Sequence, residues 1–532
     1  METQIITLHV MENTLQTLPM FKPRLTDILE NTARDYPDKP ATTFKGRKQT
    51  WAEFAERAKR LGGALRGLGV GADDHVGVLA LNSPQFMEAF FGPYYADAVL
   101  VPLNYRWAVP EMLHCMQDSR PSVLLVDDAH LEQGRAIGAA CDFCRHLIYI
   151  GDGQTPEGFL DYETLLADAE PDVVSHRGGD DLAVLFYTGG TTGRSKGVML
   201  SHANLCANAY GSVAAYRLPK GQVFLQSAPV FHAAAGARIY SLTLLQNHVV
   251  LMNRFDPQEA LELMQSEGVN DALLVPTMVN MIFNAPGFAD YDLGALRRIS
   301  YGAAPMPVPL LRRVVAALPK VAFIQGYGAT ETSPVISILQ SEAHDPNGPL
   351  ADKLTSVGLP VPYCSVRIQA PDGRICDVDE VGEVCTKGPN IMLGYWNMPE
   401  LTAAAIVDGW YHTGDGGYLD SDGYLFLVDR IKDMIITGGE NVFSSEVENA
   451  LYQHPAVKDC AVIGRPDATW GEAVHAIIVQ KAGQTVNEAE LIEFSKGLIA
   501  RYKCPKSVSF IEVMPLSAAG KVLKTELRKA FP

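Results

Sequence analysis

The stretch Tyr187 to Gly197, YTGGTTGRSKG, follows the apolar run LAVLF and mixes glycines with hydroxyl side chains and two cations. Glycine lets a backbone turn left-handed and lets its N–H groups approach a ligand closely. Hydroxyls and a lysine add donors without negative charge, so the loop is suited to cradle an anion, phosphate above all. It is not a Walker A loop: Ser195 precedes Lys196 and Gly197 follows it, where G-x-x-x-x-G-K-[ST] requires a hydroxyl. YGAAP (Tyr301 to Pro305) and GYGATETSP (Gly326 to Pro334) share this vocabulary, each after a strand-like run, LRRIS and VAFIQ. The second adds an aromatic face in Tyr327, hydroxyls in Thr330 and Thr332, and a carboxylate in Glu331. A carboxylate repels phosphate unless a cation stands between them, and Mg2+ shared by one carboxylate, water and nucleotide phosphates meets that need. Asp415 in GWYHTGD can accept hydrogen bonds from ribose hydroxyls; DRIKDMIITGGEN supplies Arg430 and Lys432; PLSAAGKVLKTELR puts Lys521 on a glycine-preceded loop before a basic helix. Each stretch alone is explicable as a surface turn or a helix cap. Together, in this order, they are not.

Such loops need strands to carry them. HVGVLALNSPQFMEAFFGPYYADAVLVPLN reads strand, helix, strand, and the alternation recurs through VPEMLHCMQDSRPSVLLVDD and ALELMQSEGVNDALLVPT. The fold class is therefore α/β, with layers built on largely parallel sheets, and ligands in such sheets sit at the carboxyl ends of strands. SVRIQAPDGRICDVDEVGEVCTKG is turn-rich and alternating, as in an antiparallel, barrel-like part. From Ile435 the chain changes to a compact α+β unit, with helices at SSEVENALYQHP and EAELIEFSKGLIARY and strands at VKDCAVIGRPD, EAVHAIIVQKAG and KSVSFIEVM. This gives a large domain over residues 1–428, a short charged hinge over 429–434 and a small C-terminal domain over 435–532.

Bulk properties restrict the partners. A chain of 532 residues exceeds what one core supports. A net charge of −17 opposes binding to nucleic acid or to an anionic membrane, so any anionic ligand is held by a local site. The first residues, METQIITLHVMENTLQTLPMF, lack the basic end and apolar stretch of a secretory leader, and no apolar run reaches membrane-spanning length. The nine cysteines are scattered, which suits a reducing cytoplasm. Cys141 and Cys144 form a C-x-x-C without a second ligand pair, so packing explains them better than redox or zinc chemistry.

YTGGTTGRSKG, GYGATETSP, GWYHTGD, VDRIKDMIITGGEN and PLSAAGKVLK resemble, in register, the successive core motifs of the adenylate-forming superfamily: acyl-CoA synthetases, peptide-synthetase adenylation domains and luciferases. The similarity runs from about Leu25 to Leu527. It implies that Thr188, Thr191, Thr192 and Lys196 grip the β- and γ-phosphates of ATP. It further implies that Gly302, Ala303, Ala304 and Tyr327 form the adenine site, with Thr330 at the α-phosphate, Glu331 on Mg2+, and Asp415 and Arg430 on ribose. By the same resemblance Lys432 is the hinge, Lys521 the catalytic lysine, and Gly438, Gly439 and Glu440 a loop that approaches CoA. His232, Ala233, Ala234, Ala235 and Gly236 correspond to a wall of the acyl pocket, with Lys521, Glu331, His232 and Thr188 as the catalytic set. Ser195, where many relatives have proline, and Leu516, where many have arginine, depart from the pattern.

The implied activity is that of an AMP-forming acid:CoA ligase whose substrates are a carboxylic acid, ATP and CoA; a homodimer is compatible with it. An amino-acid adenylating enzyme is disfavoured because PVFHAAAGARIYSL offers no acidic partner for an ammonium near the pocket start. A non-catalytic nucleotide or acyl sensor would be expected to lose Lys521 or Glu331, and both are present. The run of small residues after His232 and the apolar LLVPTMVNMIF favour a roomy pocket, hence a medium- or long-chain fatty acid, with an aryl or arylpropenoic acid as the alternative.

Overall fold

The computed structural model describes residues 22–172, 174–188, 195–304, 306–430, 433–437, 440–467, 469–516 and 522–532. Two large sheets, of eight and nine strands, dominate the N-terminal part. The strands His75–Leu79, Val99–Pro102 and Val123–Val126 pair in parallel. All their residues are buried, as strands covered on both faces must be. One apolar core joins the two sheets: Val76, Val78 and Leu100 of the first, Phe224 and Val249 of the second, and helices between them contribute to it. Among these helices, Trp51–Gly67 starts at a capping box in which Thr50 and Glu53 satisfy each other's backbone N–H, and it buries Trp51, Phe54 and Leu61.

The nine-stranded sheet places four parallel strands side by side, in the order Ala322–Tyr327, Arg298–Gly302, Asp271–Leu274, Val223–Gln226. Their carboxyl ends therefore lie along one edge. In the eight-stranded sheet the hairpin strands Leu182–Thr188 and Lys196–Ser201 are antiparallel, and Gly394–Tyr395 pairs with the outer one. A five-stranded antiparallel sheet follows, in which the long strand Trp410–Leu419 pairs with Leu425–Arg430.

The C-terminal part has its own sheet and its own core of Val447, Leu451, Val462, Val474 and Ile478. Its hairpin Val457–Asp467 and Gly471–Gln480 is flanked by the helices Ser444–Leu451 and Glu488–Lys496. Asp429, the first residue of the expected hinge, lies in the strand Leu425–Arg430 and accepts the backbone N–H of Ser444 at 2.7 Å, so a carboxylate sits on the first turn of that helix. Cys141 and Cys144 are buried free thiols, the latter pushed up to about 12 by burial, as packing residues would be.

Candidate active site

The sheet edge gathers the sequence motifs by topology alone. Gly302 and Gly326 stand opposite each other in register at the ends of neighbouring strands. A Cβ on Gly302 would lie 2.3 Å from the Gly326 carbonyl oxygen, and one on Gly326 would lie 1.9 Å from the Tyr216 hydroxyl oxygen. A side chain at Gly302 would strike fixed backbone and one at Gly326 would have to displace the Tyr216 ring, so bare backbone faces the edge. Ala303 follows at φ 65°, a left-handed conformation that costs a non-glycine residue about 1–2 kcal/mol. Ala303 is exposed and Ala304 half-buried.

After Tyr327 the chain makes the short turn Thr330–Thr332. Asn390 donates to the Thr332 carbonyl at 2.8 Å, and the Met392 N–H donates to the Glu331 carbonyl at 2.9 Å. The Glu331 side chain is buried, and its Oε1 accepts from the Tyr395 hydroxyl at 2.9 Å. Burial and the Glu331 charge raise Tyr395 above the usual phenol range, and burial raises Tyr411 as well, so both remain protonated donors beside a carboxylate. Lys196 lies over the Tyr395 ring, 4.2 Å from its centroid. A cation, an aromatic ring and an acidic oxygen thus stand in sequence between the hairpin stem and the sheet edge.

The stem itself is braced. Thr188 pairs directly with Lys196. Tyr187 donates to Asp118 at 2.6 Å, Trp396 donates to the Asp118 carbonyl at 3.0 Å, and the His114 ring lies 3.2 Å from the Ser195 carbonyl. On the other side of the turn, the Tyr327 hydroxyl donates to Asp415 at 2.7 Å, and Asp415 pairs in register with Arg430. The structure therefore brings together Thr188, Lys196, Gly302, Ala303, Ala304, Tyr327, Thr330, Glu331 and Asp415. Thr191, Thr192, Lys432, Gly438, Gly439, Lys521 and the Arg430 side chain lie outside the described residues. Glu440 starts a short strand of the C-terminal sheet and is exposed.

The fourth strand of the edge, Val223–Gln226, leads to His232 and the helical turn Ala233–Gly236, continued by the helix Arg238–Leu244. His232 is half-buried, its ring centroid 4.3 Å from that of Phe231. The run of small residues does not face one way. Ala233 and Ala235 are buried, and a Cβ on Gly236 would meet the Val230 carbonyl at 2.4 Å and the Phe90 ring at 2.8 Å. Ala234 alone among them is exposed. Of the expected wall, His232 with four small residues, only His232 and Ala234 are other than buried, and the glycine is pressed onto Phe90.

Opposite Ala234, the strand face that carries Gly302 and Gly326 also carries Leu273 and Ser300 two residues deeper. Leu273 is only half-buried although it sits mid-sheet, so the helix does not wholly cover this face.

The family model for AMP-binding enzymes matches residues 29–396, and that for the AMP-binding enzyme C-terminal domain matches 446–521. The chain belongs to the AMP-binding enzyme family. It is 40% identical over 500 residues to a feruloyl-CoA synthase of an Amycolatopsis species, covering 94% of this chain and 97% of that one. A long-chain-fatty-acid–CoA ligase of Mycobacterium tuberculosis is 34% identical, covering 91% and 93%. The crystal structure of ATP-bound MatB from Rhodopseudomonas palustris matches with a TM-score of 0.85 at 30% identity, covering 96% of this chain and 99% of that one. This AMP-binding enzyme is an AMP-forming acyl-CoA synthetase with a large N-terminal and a smaller C-terminal domain. Among residues that motif reading passed over, Tyr395 and Trp396 brace the site; their signal is GYWN, the short strand that caps the hairpin.

Proposed function

We propose that this synthetase activates an aryl or arylpropenoic acid. The observation that carries this reading is the half-buried Leu273 beside Ser300, with the buried Arg238 3.4 Å from the Ser300 hydroxyl: a slot entering beside Ala234 would descend only from Gly302 to Ser300, two residues or about 7 Å of strand, before reaching that arginine. That depth accepts a ring on a short linker. The 40% identity to a feruloyl-CoA synthase along nearly the whole chain supports it. The second reading, a medium- or long-chain fatty acid, is favoured by the fatty-acid ligase at 34% identity.

On the edge, the acid carboxylate would lie near His232 and Thr330, with adenine against the bare backbone of Gly302, Ala303 and Ala304 beside Tyr327. Asp415 would take the ribose hydroxyls, and Thr188 with Lys196 the outer phosphates. Glu331 fits an Mg2+ ligand, being a buried carboxylate with one oxygen held by Tyr395 and the other left to a cation. Bound there, Mg2+ would neutralise phosphate charge. A carboxylate oxygen attacks the α-phosphorus, the bond to pyrophosphate breaks, and an acyl adenylate results; the CoA thiolate then attacks the carbonyl carbon and AMP leaves. Oxide is too poor a leaving group for direct thiolate attack, which is why the adenylate is needed. Lys521 would stabilise the first transition state, and rotation about a hinge at 429–434 would withdraw it for the second.

The test is CoA-dependent AMP release with a panel of arylpropenoates, aryl acetates, octanoate and palmitate. The aryl reading predicts the highest kcat/KM for an arylpropenoate. Faster turnover of octanoate or palmitate than of every aryl acid would replace it with the fatty-acid reading.

A further inference from the structure

The floor of the proposed acid slot carries two guanidiniums, Arg238 and Arg298, against one carboxylate, Asp271. Arg238 is four residues after Ala234, so the two lie on one helical face a turn apart, the first exposed at the mouth and the second 8% exposed below it. Its guanidinium packs over the rings of Phe224 and Tyr216, 5.1 and 5.5 Å from their centroids. Its one hydrogen bond among the described residues is a long one, 3.4 Å to the Ser300 hydroxyl, and its Nε has no hydrogen-bond partner. The nearest carboxylate, Asp271, is 2% exposed and stands 3.9 Å from Arg238 and 3.7 Å from Arg298. One acid thus faces two guanidiniums, neither within hydrogen-bonding distance. Buried charge in that state is costly unless something further pairs with it.

Leu273 and Ser300 stand side by side on the same sheet face, and Leu273 keeps part of its surface accessible. An acid that passes Ala234 with its carboxylate at the sheet edge therefore points its far end at Arg238. We propose that Arg238 is a specificity residue that donates to an oxygen, hydroxyl or alkoxy, at the distal end of an aryl acid. This deepens the aryl-acid reading and rests on it. A neutral ring oxygen suits the site because Asp271 already offsets part of the charge, while the guanidinium retains unused donors. An apolar substituent of the same size would leave those donors unmade, and a site arranged to hydrogen-bond its ligand discriminates strongly against such an analogue.

The experiment compares 4-hydroxycinnamate with 4-methylcinnamate, a near-isostere without the oxygen, in the full-length wild type and in Arg238→Met. Octanoate is the third substrate. The wild type should prefer the hydroxyl acid by about 10- to 100-fold in kcat/KM, the range of a hydrogen bond to a charged group. In Arg238→Met that ratio should fall to about one or invert, chiefly through KM of the acid, with KM of ATP unchanged. Arg238→Lys, which keeps the charge without the planar fork, should retain a reduced preference, and it serves as the readout if the methionine variant does not fold. A wild type that turns over both aryl acids equally, or a preference that survives in Arg238→Met, overturns the role of Arg238 and leaves the aryl-acid assignment standing. Turnover of octanoate with neither aryl acid accepted overturns both.

Discussion

Placing tryptophan at two adjacent alanines separates a slot wall from a core position. Ala234 is exposed beside the proposed slot, whereas Ala235 is 1% exposed and faces the core. An indole at 234 occupies the space an aryl ring would fill. Burying a side chain of phenyl size is worth about 1.5–3 kcal/mol, so Ala234→Trp should lower kcat/KM for arylpropenoates by roughly 10- to 150-fold. Acetate and propionate should be affected far less, and KM of ATP should not change, because Gly302 and Ala303 lie on a different strand connection. Ala235→Trp has no slot to enter. Overpacking a filled core costs about 1–3 kcal/mol, which should appear as a lowered melting temperature with the chain-length profile intact. The assay is steady-state AMP release over acids from acetate to arylpropenoates, with thermal unfolding in parallel. If Ala235→Trp reshapes the acid profile while Ala234→Trp leaves it alone, the helix phase deduced from Gly236 and Phe90 is wrong.

Tyr395→Phe removes the hydrogen bond to Glu331 but keeps the ring beneath Lys196; it should cost about 1.5–3 kcal/mol in transition-state binding of ATP, seen as a lower kcat/KM at limiting Mg2+ with the acid KM unaltered. Lys521→Ala should slow adenylate formation by about 100-fold or more while sparing thioester formation from presynthesised acyl adenylate, and equal loss in both half-reactions would argue against a withdrawn lysine. Burial holds His344 down to about 4 and His475 to about 4. The His344 Nδ1 faces the Gln340 carbonyl, which can only accept, so Nε2 is left to accept from Tyr301. Unfolded histidines bind protons below about 6.5 that the folded ones refuse. Stability should therefore be complete above that pH and decline toward pH 4; a melting temperature that stays flat between pH 7 and 5 would contradict this.

The gathering of the motif loops along one sheet edge was legible in the sequence because each of its parts is local: a strand-like run followed at once by glycine, threonine or glutamate. The small domain was legible for a similar reason, its helices and strands appearing where the periodicity places them. PQFMEAFFGPYY reads as one helix, yet it forms two short ones, Pro84–Glu88 and Gly92–Tyr95. Pro93 supplies no N–H to continue the first, and Gly92 is pressed against Leu61, where a Cβ would lie 2.3 Å from Cδ2 of that side chain. The Tyr395 brace could not be read locally because it joins residues 64 positions apart. Nor could the charge balance at Arg238, which depends on Asp271 and Arg298 being neighbours on adjoining strands. The run of alanines carried no phase information, since identical side chains cannot say which of them faces inward.

The proposed slot has two walls built from different elements. One is the sheet, whose strands end in the residues proposed to hold ATP, and where a side chain at Gly302 would strike the Gly326 backbone. The other is a single stretch of helix, whose exposed position is Ala234, separate in the chain from those strand ends. Replacements on the helix can therefore change the acid accepted without touching the strand ends. A lineage on this scaffold would be expected to drift among acids of different shape by one or two helical replacements, without ever passing through an ancestor unable to spend ATP.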